Sequence, residues 1–166
     1  MADNKTRPTD ASVQASIAAT GFTSRKVLRN ILAVMVGIVI GSAVNMVLIL
    51  AGPSIIAPPV GVDMGTADGL KAGMHLLAPR HFAAPFLAHA IGTLVGATAA
   101  YLIAASHKVA IALAIGVVFL AGGIAASFMI PAPAWFIALD LLAAYLPMAW
   151  LATRIGARIG RADARA

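Results

Sequence analysis

The stretch PAPAWFIALDLLAAYLPMAWLATR, residues 131–154, indicates the class of the protein, because its apolar run from Pro133 onward is long enough to cross a bilayer. Asp140 lies inside this run, and Pro147 interrupts it further along. A carboxylate in the hydrocarbon core costs about 3 kcal/mol on insertion scales, so Asp140 needs a polar partner or a function there. Pro147 leaves the carbonyl of Ala143 without its helical donor, which predicts a kink in this helix.

The composition of the whole chain agrees with a membrane protein. Of its 166 residues, 61% are hydrophobic and 11% are charged, and the mean hydropathy is +0.93. Soluble domains carry roughly 25% charged residues, so this chain has too little polar surface to cover a water-soluble globule. We therefore expect an integral membrane protein.

Three more apolar runs have the length of a membrane span. Twenty helical residues reach roughly 30 Å, the thickness of a hydrocarbon core. Short turns join the second run to the third and the third to the fourth, which makes these neighbours antiparallel. We predict an all-α membrane protein, a four-transmembrane-helix antiparallel bundle. Its segments are a flexible cytosolic N-terminal arm (1–24), a membrane domain (25–153) with spans at about 31–50, 82–105, 109–130 and 133–153 and an outer loop (52–80), and a basic cytosolic tail (154–166).

The outer loop contains one candidate helix. Thr66 is a suitable N-cap, and Leu70, Met74 and Leu77 then share one face. Two interpretations are open: the helix lies in the plane of the membrane surface, or it covers the mouth of the bundle.

The basic residues predict the orientation in the membrane. Lys and Arg precede the first span, separate the second from the third, and follow the fourth, whereas the opposite side carries only Lys71 and Arg80. The positive-inside rule then places both termini in the cytoplasm. In the tail, arginines at helical spacing are candidates for binding anionic lipid headgroups, and these are Arg154, Arg158 and Arg161. The alternative is a plain stop-transfer flank, which the topology rule alone requires.

Small residues recur at intervals of four along the first three spans. Such stripes allow two helix backbones to approach closely in lipid, where hydrophobic burial gives no driving force. We expect them to pack helices within one chain, with a homo-oligomer face as the alternative. The candidate packing glycines are Gly37, Gly41, Gly92, Gly96, Gly116 and Gly123.

Three polar side chains fall at one depth in the membrane. Counted from the outer ends of their spans, Asn45, His89 and Asp140 lie roughly 8–10 Å below the surface of the core. Each is on the small-residue or polar face of its helix. We therefore expect them to meet, with Asp140 and His89 forming either an ion pair or a neutral acid hydrogen-bonded to imidazole.

This intramembrane polar cluster has two interpretations. In one, it binds a proton or a small solute from outside, and His81, Thr93 and Ser127 line a candidate access path. In the other, it only holds the helices together, at about 0.6–2 kcal/mol per contact.

Other chemistry is not indicated. The chain has no Cys, and His81 and His89 are about 12 Å apart along a helix, too far to bind one ion. We predict no catalytic residue, no metal site and no cofactor. The excess of positive charge is explained by topology and lipid, so nucleic acid is not an expected partner.

The segments HFAAPFLAHAIGTLVGA, residues 81–97, and PAPAWFIALDLLAAYLPMAWL, residues 131–151, resemble a family of small bacterial integral membrane proteins. The resemblance implies four spans and a bacterial inner membrane, and it implies no catalytic residue or substrate. The expected function is that of a non-enzymatic accessory or structural membrane component, with lipid and a membrane protein or a second copy as partners. The alternative is a small transporter or a proton-linked solute-binding protein that uses Asp140, His89 and Asn45.

Overall fold

The computed structural model describes the backbone of residues 10–163 and the side chains of residues 24–162. Within these ranges the regular structure is entirely helical, as predicted. Six α-helices follow in chain order: α1 (Asp10–Ile55), α2 (Ala67–Gly73), α3 (Ala83–Ile103), α4 (Lys108–Met129), α5 (Ala134–Ala143) and α6 (Leu146–Asp163). Two single 3-10 turns, Met74–Leu76 and Pro79–Phe82, join α2 to α3.

Four helical segments are long and apolar enough to cross a membrane, which confirms the predicted number of spans. They are Ser24–Ile55, Pro79–Ile103, Lys108–Met129 and Ala134–Ala162. Large apolar side chains point away from the bundle, and Leu50, Phe128 and Leu142 are 69%, 86% and 76% exposed. Exposed apolar side chains of this size would favour aggregation in water, whereas they are compatible with contact to lipid.

The ends of the chain differ from the predicted segments in one respect. Helix α1 runs without a break from Asp10 into the first span, so residues 10–24 of the predicted arm are helical. Residues 1–9 lie outside the described part of the chain, and the flexibility of the arm stays a prediction. At the other end, α6 carries the fourth span onward to Asp163.

The fourth span breaks where Pro147 predicts a kink. Helix α5 ends at Ala143, and α6 begins at Leu146. The proline ring has no N–H to offer the carbonyl of Ala143, and the chain turns through Ala144 and Tyr145 before the helix resumes. This two-residue break reorients the side chain of Tyr145.

Helices α1 and α3 make the closest contact of the bundle. A Cβ at Gly37 would lie 2.8 Å from the carbonyl oxygen of Gly96, and one at Gly41 would lie 2.8 Å from that of Gly92. Because the pairs run in opposite directions along the two helices, α1 and α3 are antiparallel. The glycines of both stripes therefore pack within one chain.

The other pairs of helices use fewer glycines. Gly116 of α4 faces Ala149 of α6, whose Cβ is 2.6 Å from the place a Cβ would take. This contact lies in the half of the bundle nearer the α3–α4 turn, here called the inner half, which is filled by small residues and by the fully buried Ile115. That half is close-packed by the described side chains.

The turn between α3 and α4 is held by a side chain from α1. The Asn30 amide oxygen accepts hydrogen bonds from the backbone N–H groups of Ala105 (2.9 Å) and Ser106 (3.2 Å). The Asn30 amide nitrogen donates to Ser106 Oγ at 2.9 Å. These bonds satisfy backbone donors at the inner end of the bundle and fix the turn.

The outer loop folds over the bundle. Thr66 caps α2 and accepts a hydrogen bond from the Gly69 N–H at 3.1 Å, as predicted. Asp63 accepts from the Thr66 hydroxyl and the Gly65 N–H, both at 2.7 Å, and these bonds lower the pKa of its carboxyl group. Leu70 lines a cavity in the bundle, so the helix covers the bundle mouth.

Candidate functional site

His89 and Asp140 are in direct contact across two helices. His89 Nδ1 lies 2.9 Å from each oxygen of the Asp140 carboxyl group. The Asp140 side chain is 8% exposed, and that of His89 is 24% exposed. The imidazole of α3 therefore covers the carboxyl group of α5 and presents the more accessible surface.

Tyr145 also contacts the His89–Asp140 pair, and the sequence did not predict this. Its hydroxyl donates to Asp140 Oδ2 at 2.9 Å, and its ring stacks on His89 with centroids 5.7 Å apart. Five residues turn about 140° around a straight helix, which would point Tyr145 away from Asp140. The break before Pro147 brings it back, and this proline was the signal in the sequence that could have located it.

The surroundings of the pair fix its geometry. The Thr93 hydroxyl donates to the backbone oxygen of His89 at 2.7 Å. Its hydrogen bond is therefore made within α3. Gly123 of α4 leaves room for the Tyr145 hydroxyl, which a Cβ at that position would overlap. Helices α3, α4 and α5 therefore each contribute to the arrangement of His89, Asp140 and Tyr145.

A cavity of about 250 Å³, here called the outer cavity, lies between α1 and α4 and reaches His89 and Asp140. It is covered by the outer loop, and most of its walls are apolar. His81 and Ser127, both predicted for an access path, line it together with Pro85. The apolar residues of the loop and of α1 that line it are Ile49, Pro53, Ile56, Met64, Leu70, Met74 and Leu77.

A second cavity of about 240 Å³, here called the inner cavity, also has His89 in its wall. Its walls are more polar and include Ser42 and Asn45 of α1, Thr93 of α3, and Tyr145. Three residues line both cavities, namely His89, Gly123 and Ala126. His89 therefore stands between an apolar space and a polar one.

Asn45 does not join the His89–Asp140 contact by a hydrogen bond. Its amide oxygen is buried and has no hydrogen-bond partner in the described part of the chain. Of the three residues predicted to meet, Asp140 and His89 are in contact, whereas Asn45 lies across the inner cavity. An acceptor without a partner is costly when buried.

The remaining predicted residues lie at the ends of the bundle. His81 is 4% exposed, and its Nδ1 accepts from the Ala78 N–H at 2.9 Å while Nε2 lies 3.3 Å from the Ala57 oxygen. It ties the outer loop to the start of the second span. Arg154 stacks on the Trp150 ring at 4.7 Å, and the exposed arginines of α6 stay candidates for headgroup binding, namely Arg154, Arg158 and Arg161.

The site brings an imidazole, a carboxyl group and a phenol hydroxyl within hydrogen-bond distance of one another, and the imidazole and the carboxyl group line the outer cavity. The Asp140 carboxyl group has two hydrogen-bonding neighbours, His89 Nδ1 and the Tyr145 hydroxyl. The imidazole then keeps a second nitrogen for a proton or for a ligand. No protein-family model, no curated protein and no solved structure matches this chain, so its chemistry rests on this geometry.

Proposed function

We propose that this protein binds a small solute in the outer cavity and couples that binding to a proton on the His89–Asp140 pair. The observation that carries the proposal is that His89 and Asp140, which contact each other, both form part of the wall of the outer cavity. An intramembrane carboxylate that faces a cavity is typical of proton-linked binding sites. The proposed role is binding or transport.

The shape of the bundle supports binding from the outer end. The small residues and Ile115 fill the inner half, and the ring of Phe119 on α4 contacts Gly41 on α1. Beyond this contact, toward the outer loop, both helices line the cavities. A solute would therefore reach His89 from the outer loop or through the gap between α1 and α4.

Cysteine accessibility tests whether water reaches the outer cavity, since the natural chain has no Cys. Ser127→Cys lies in the cavity wall, and Ala125→Cys, an exposed neighbour on α4, is the matched control. We expect a charged thiol reagent to modify Ser127→Cys and to leave Ala125→Cys in the lipid unmodified. If neither variant reacts in folded protein, the cavity is dry and the proposal fails.

A structural or accessory role is the second candidate, and the hydrogen bonds of Asp140 favour it. They link the α3 imidazole and the hydroxyl between α5 and α6 to one carboxyl group, as interhelical glue would. Asp140→Asn separates the two roles, because the amide keeps hydrogen bonding and loses the charge. Lost proton binding in an intact bundle supports the solute-binding role, whereas loss of the fold supports the structural one.

The setting of the proposed function is a bacterial inner membrane with both termini in the cytoplasm. The resemblance of residues 81–97 and 131–151 to small bacterial membrane proteins supports the membrane, and the distribution of Lys and Arg supports the orientation. Anionic lipid at the α6 arginines and a second membrane protein are further proposed partners.

A further inference from the structure

We propose that the inner cavity is a second binding site, which takes the carbonyl oxygen of a neutral lipophilic molecule that enters from the bilayer between α1 and α4. The chemical class that fits it is a quinone-type ring with an apolar tail. This site is separate from the solute site proposed for the outer cavity and does not depend on it.

Two hydrogen-bond donors in the wall of the inner cavity are free, the Ser42 hydroxyl and the Asn45 amide nitrogen. Neither makes a hydrogen bond within the part of the chain that the structure describes. Other hydroxyls of the membrane helices donate to a carbonyl one turn back in their own helix, as those of Thr93, Thr98 and Ser127 do. The cavity therefore offers donors, and donors select a ligand group that accepts.

The charges around the inner cavity favour a neutral acceptor. Its lining residues include no Asp, Glu, Lys or Arg, so neither an ammonium group nor a carboxylate would find an opposite charge there. The Asn45 amide oxygen is buried away from the cavity, and Thr93 is 0% exposed. Ser42 and Asn45 are three residues apart and lie on one face of α1. Both can therefore donate to the two lone pairs of a single carbonyl oxygen.

The inner cavity opens sideways between α1 and α4. Ser42 is exposed, and its neighbours on the same helix face, Val39 and Met46, are 63% and 55% exposed. On the α4 side, a Cβ at Gly122 would meet nothing within 4 Å, and Val118, one turn away, is also exposed. These residues lie within two of the segments that can cross a membrane. The opening therefore faces hydrocarbon, and a ligand enters from the lipid.

The depth of the donors favours a freely diffusing lipophilic molecule over a phospholipid as the source of the carbonyl group. Ser42 precedes Leu50, the outer end of the predicted first span, by eight residues, which is roughly 12 Å along a helix. Because the hydrocarbon core is about 30 Å thick, Ser42 lies near its middle. Glycerol esters stay at the boundary of the core, whereas a neutral quinone dissolves in it.

The size and the walls of the cavity suit a flat head group. Its volume of about 240 Å³ is below the roughly 300–1,000 Å³ of pockets that enclose a drug-sized molecule. It therefore holds a single substituted ring and leaves the tail in the lipid. Three of its lining residues carry rings, namely His89, Phe119 and Tyr145, and aromatic rings pack well on flat ligands.

Three matched probes test the site on full-length protein in nanodiscs of an ether-linked phosphatidylcholine, a lipid without carbonyl groups. They are decyl-trimethylbenzoquinone, which only accepts hydrogen bonds, decyl-trimethylaniline, which mainly donates, and decyl-trimethylbenzene, which does neither. The rise of the thermal unfolding midpoint with mole fraction gives the apparent affinity. We expect the quinone to bind about tenfold tighter than the benzene, because it gains hydrogen bonds from Ser42 and Asn45. The aniline should bind no tighter than the benzene.

Variants show where the quinone binds. Ser42→Ala should weaken the quinone about fivefold and leave the benzene unchanged. Ser127→Ala is the matched control, because Ser127 lines the outer cavity and not the inner one. With carbon-13 in the quinone carbonyl groups, the infrared carbonyl stretch should fall on binding to the wild type, and less so on binding to Ser42→Ala.

A second variant closes the opening without touching the donors. Gly122→Leu places a side chain in the mouth of the cavity and should abolish the preference for the quinone. Gly160→Leu is its control, since a Cβ at either glycine meets nothing within 4 Å. If Gly122→Leu does not fold, Ser42→Ala and the carbonyl stretch decide.

Ester-linked phosphatidylcholine distinguishes the two sources of a carbonyl group. We expect the same affinity for the quinone in ester and ether lipid. If ester lipid instead stabilises the protein, abolishes quinone binding, and loses both effects in Ser42→Ala, the carbonyl site stands and a lipid ester occupies it.

The remaining outcomes overturn the carbonyl site. They are equal binding of the quinone and the benzene in both lipids, equal binding of the aniline and the quinone, and an unchanged quinone affinity in Ser42→Ala. None of them bears on the outer cavity, whose test is the reactivity of Ser127→Cys.

Discussion

At the scale of single residues, the Asp140 carboxyl group is contacted by two side chains from different helical segments. His89 lies 2.9 Å from both carboxyl oxygens, and Tyr145 donates to one of them. A buried carboxylate is costly alone and is stabilised when its lone pairs are filled. Tyr145 should therefore contribute to stability.

Tyr145→Phe removes one donor from the carboxylate and leaves the ring on His89. We expect the variant to fold and to lose about 1–3 kcal/mol of stability, the cost of a missing hydrogen bond to a charged group. Reversible unfolding in mixed micelles measures the loss. Tyr101→Phe is the control, because the Tyr101 ring packs against Gly156 at the inner end of the bundle. A loss that is no larger for Tyr145→Phe than for Tyr101→Phe would contradict this role.

The sequence predicts part of this site because depth follows from counting residues along a helix. Counting places His89 and Asp140 at one level, and they touch. Depth and helix face do not give the distance between two helices, so they could not show that Asn45 lies across the inner cavity. It could not find Tyr145 either, since that side chain reaches Asp140 only because the helix breaks before Pro147.

At the scale of helices, close approach and local breaks determine the arrangement. Helices α1 and α3 touch backbone to backbone through Gly37, Gly41, Gly92 and Gly96, which holds Asn45 near the level of His89. The four-residue interval of small residues predicts that such contacts exist. It does not name the partner of each stripe, because every stripe is compatible with every other one.

Gly96→Ala should separate α1 from α3. Its Cβ would lie 2.5 Å from the backbone oxygen of Gly37 and 3.0 Å from the Cα of Gly41, and backbone atoms cannot move aside as a side chain can. We expect a loss of about 1–3 kcal/mol, as for other overpacked sites. Gly160→Ala, which meets nothing within 4 Å, is the control for the loss of a glycine. Equal stability of the two variants would show that the α1–α3 contact is looser than described.

At the scale of the whole molecule, the bundle is filled at one end and hollow at the other. Small residues fill the inner half around Ile115, and both cavities lie between α1 and α4 toward the outer loop. Hydropathy alone predicts the four spans, because length and composition decide whether a helix can cross a bilayer. The cavities could not be predicted, since they depend on the angles between helices.

The proposed orientation of the molecule predicts which cysteines are accessible. Val60→Cys in the outer loop, where the side chain is 102% exposed, should react with a membrane-impermeant maleimide on intact cells. Arg161→Cys in α6 should react only after the cells are permeabilised, because the positive-inside rule places it in the cytoplasm. The reverse pattern would invert the topology and turn the outer cavity toward the cytoplasm.

The titration of His89 tests the central claim most directly. The ring nitrogens of 15N-labelled protein in nanodiscs are followed by NMR as the pH is lowered, with Asp140→Asn as the control. We predict that Nδ1 stays protonated throughout, because it donates to Asp140, and that Nε2 gains a proton from the cavity. Two ring nitrogens that do not change over the whole range in which the bundle stays folded would contradict a proton-binding pair and leave Asp140 as a structural contact.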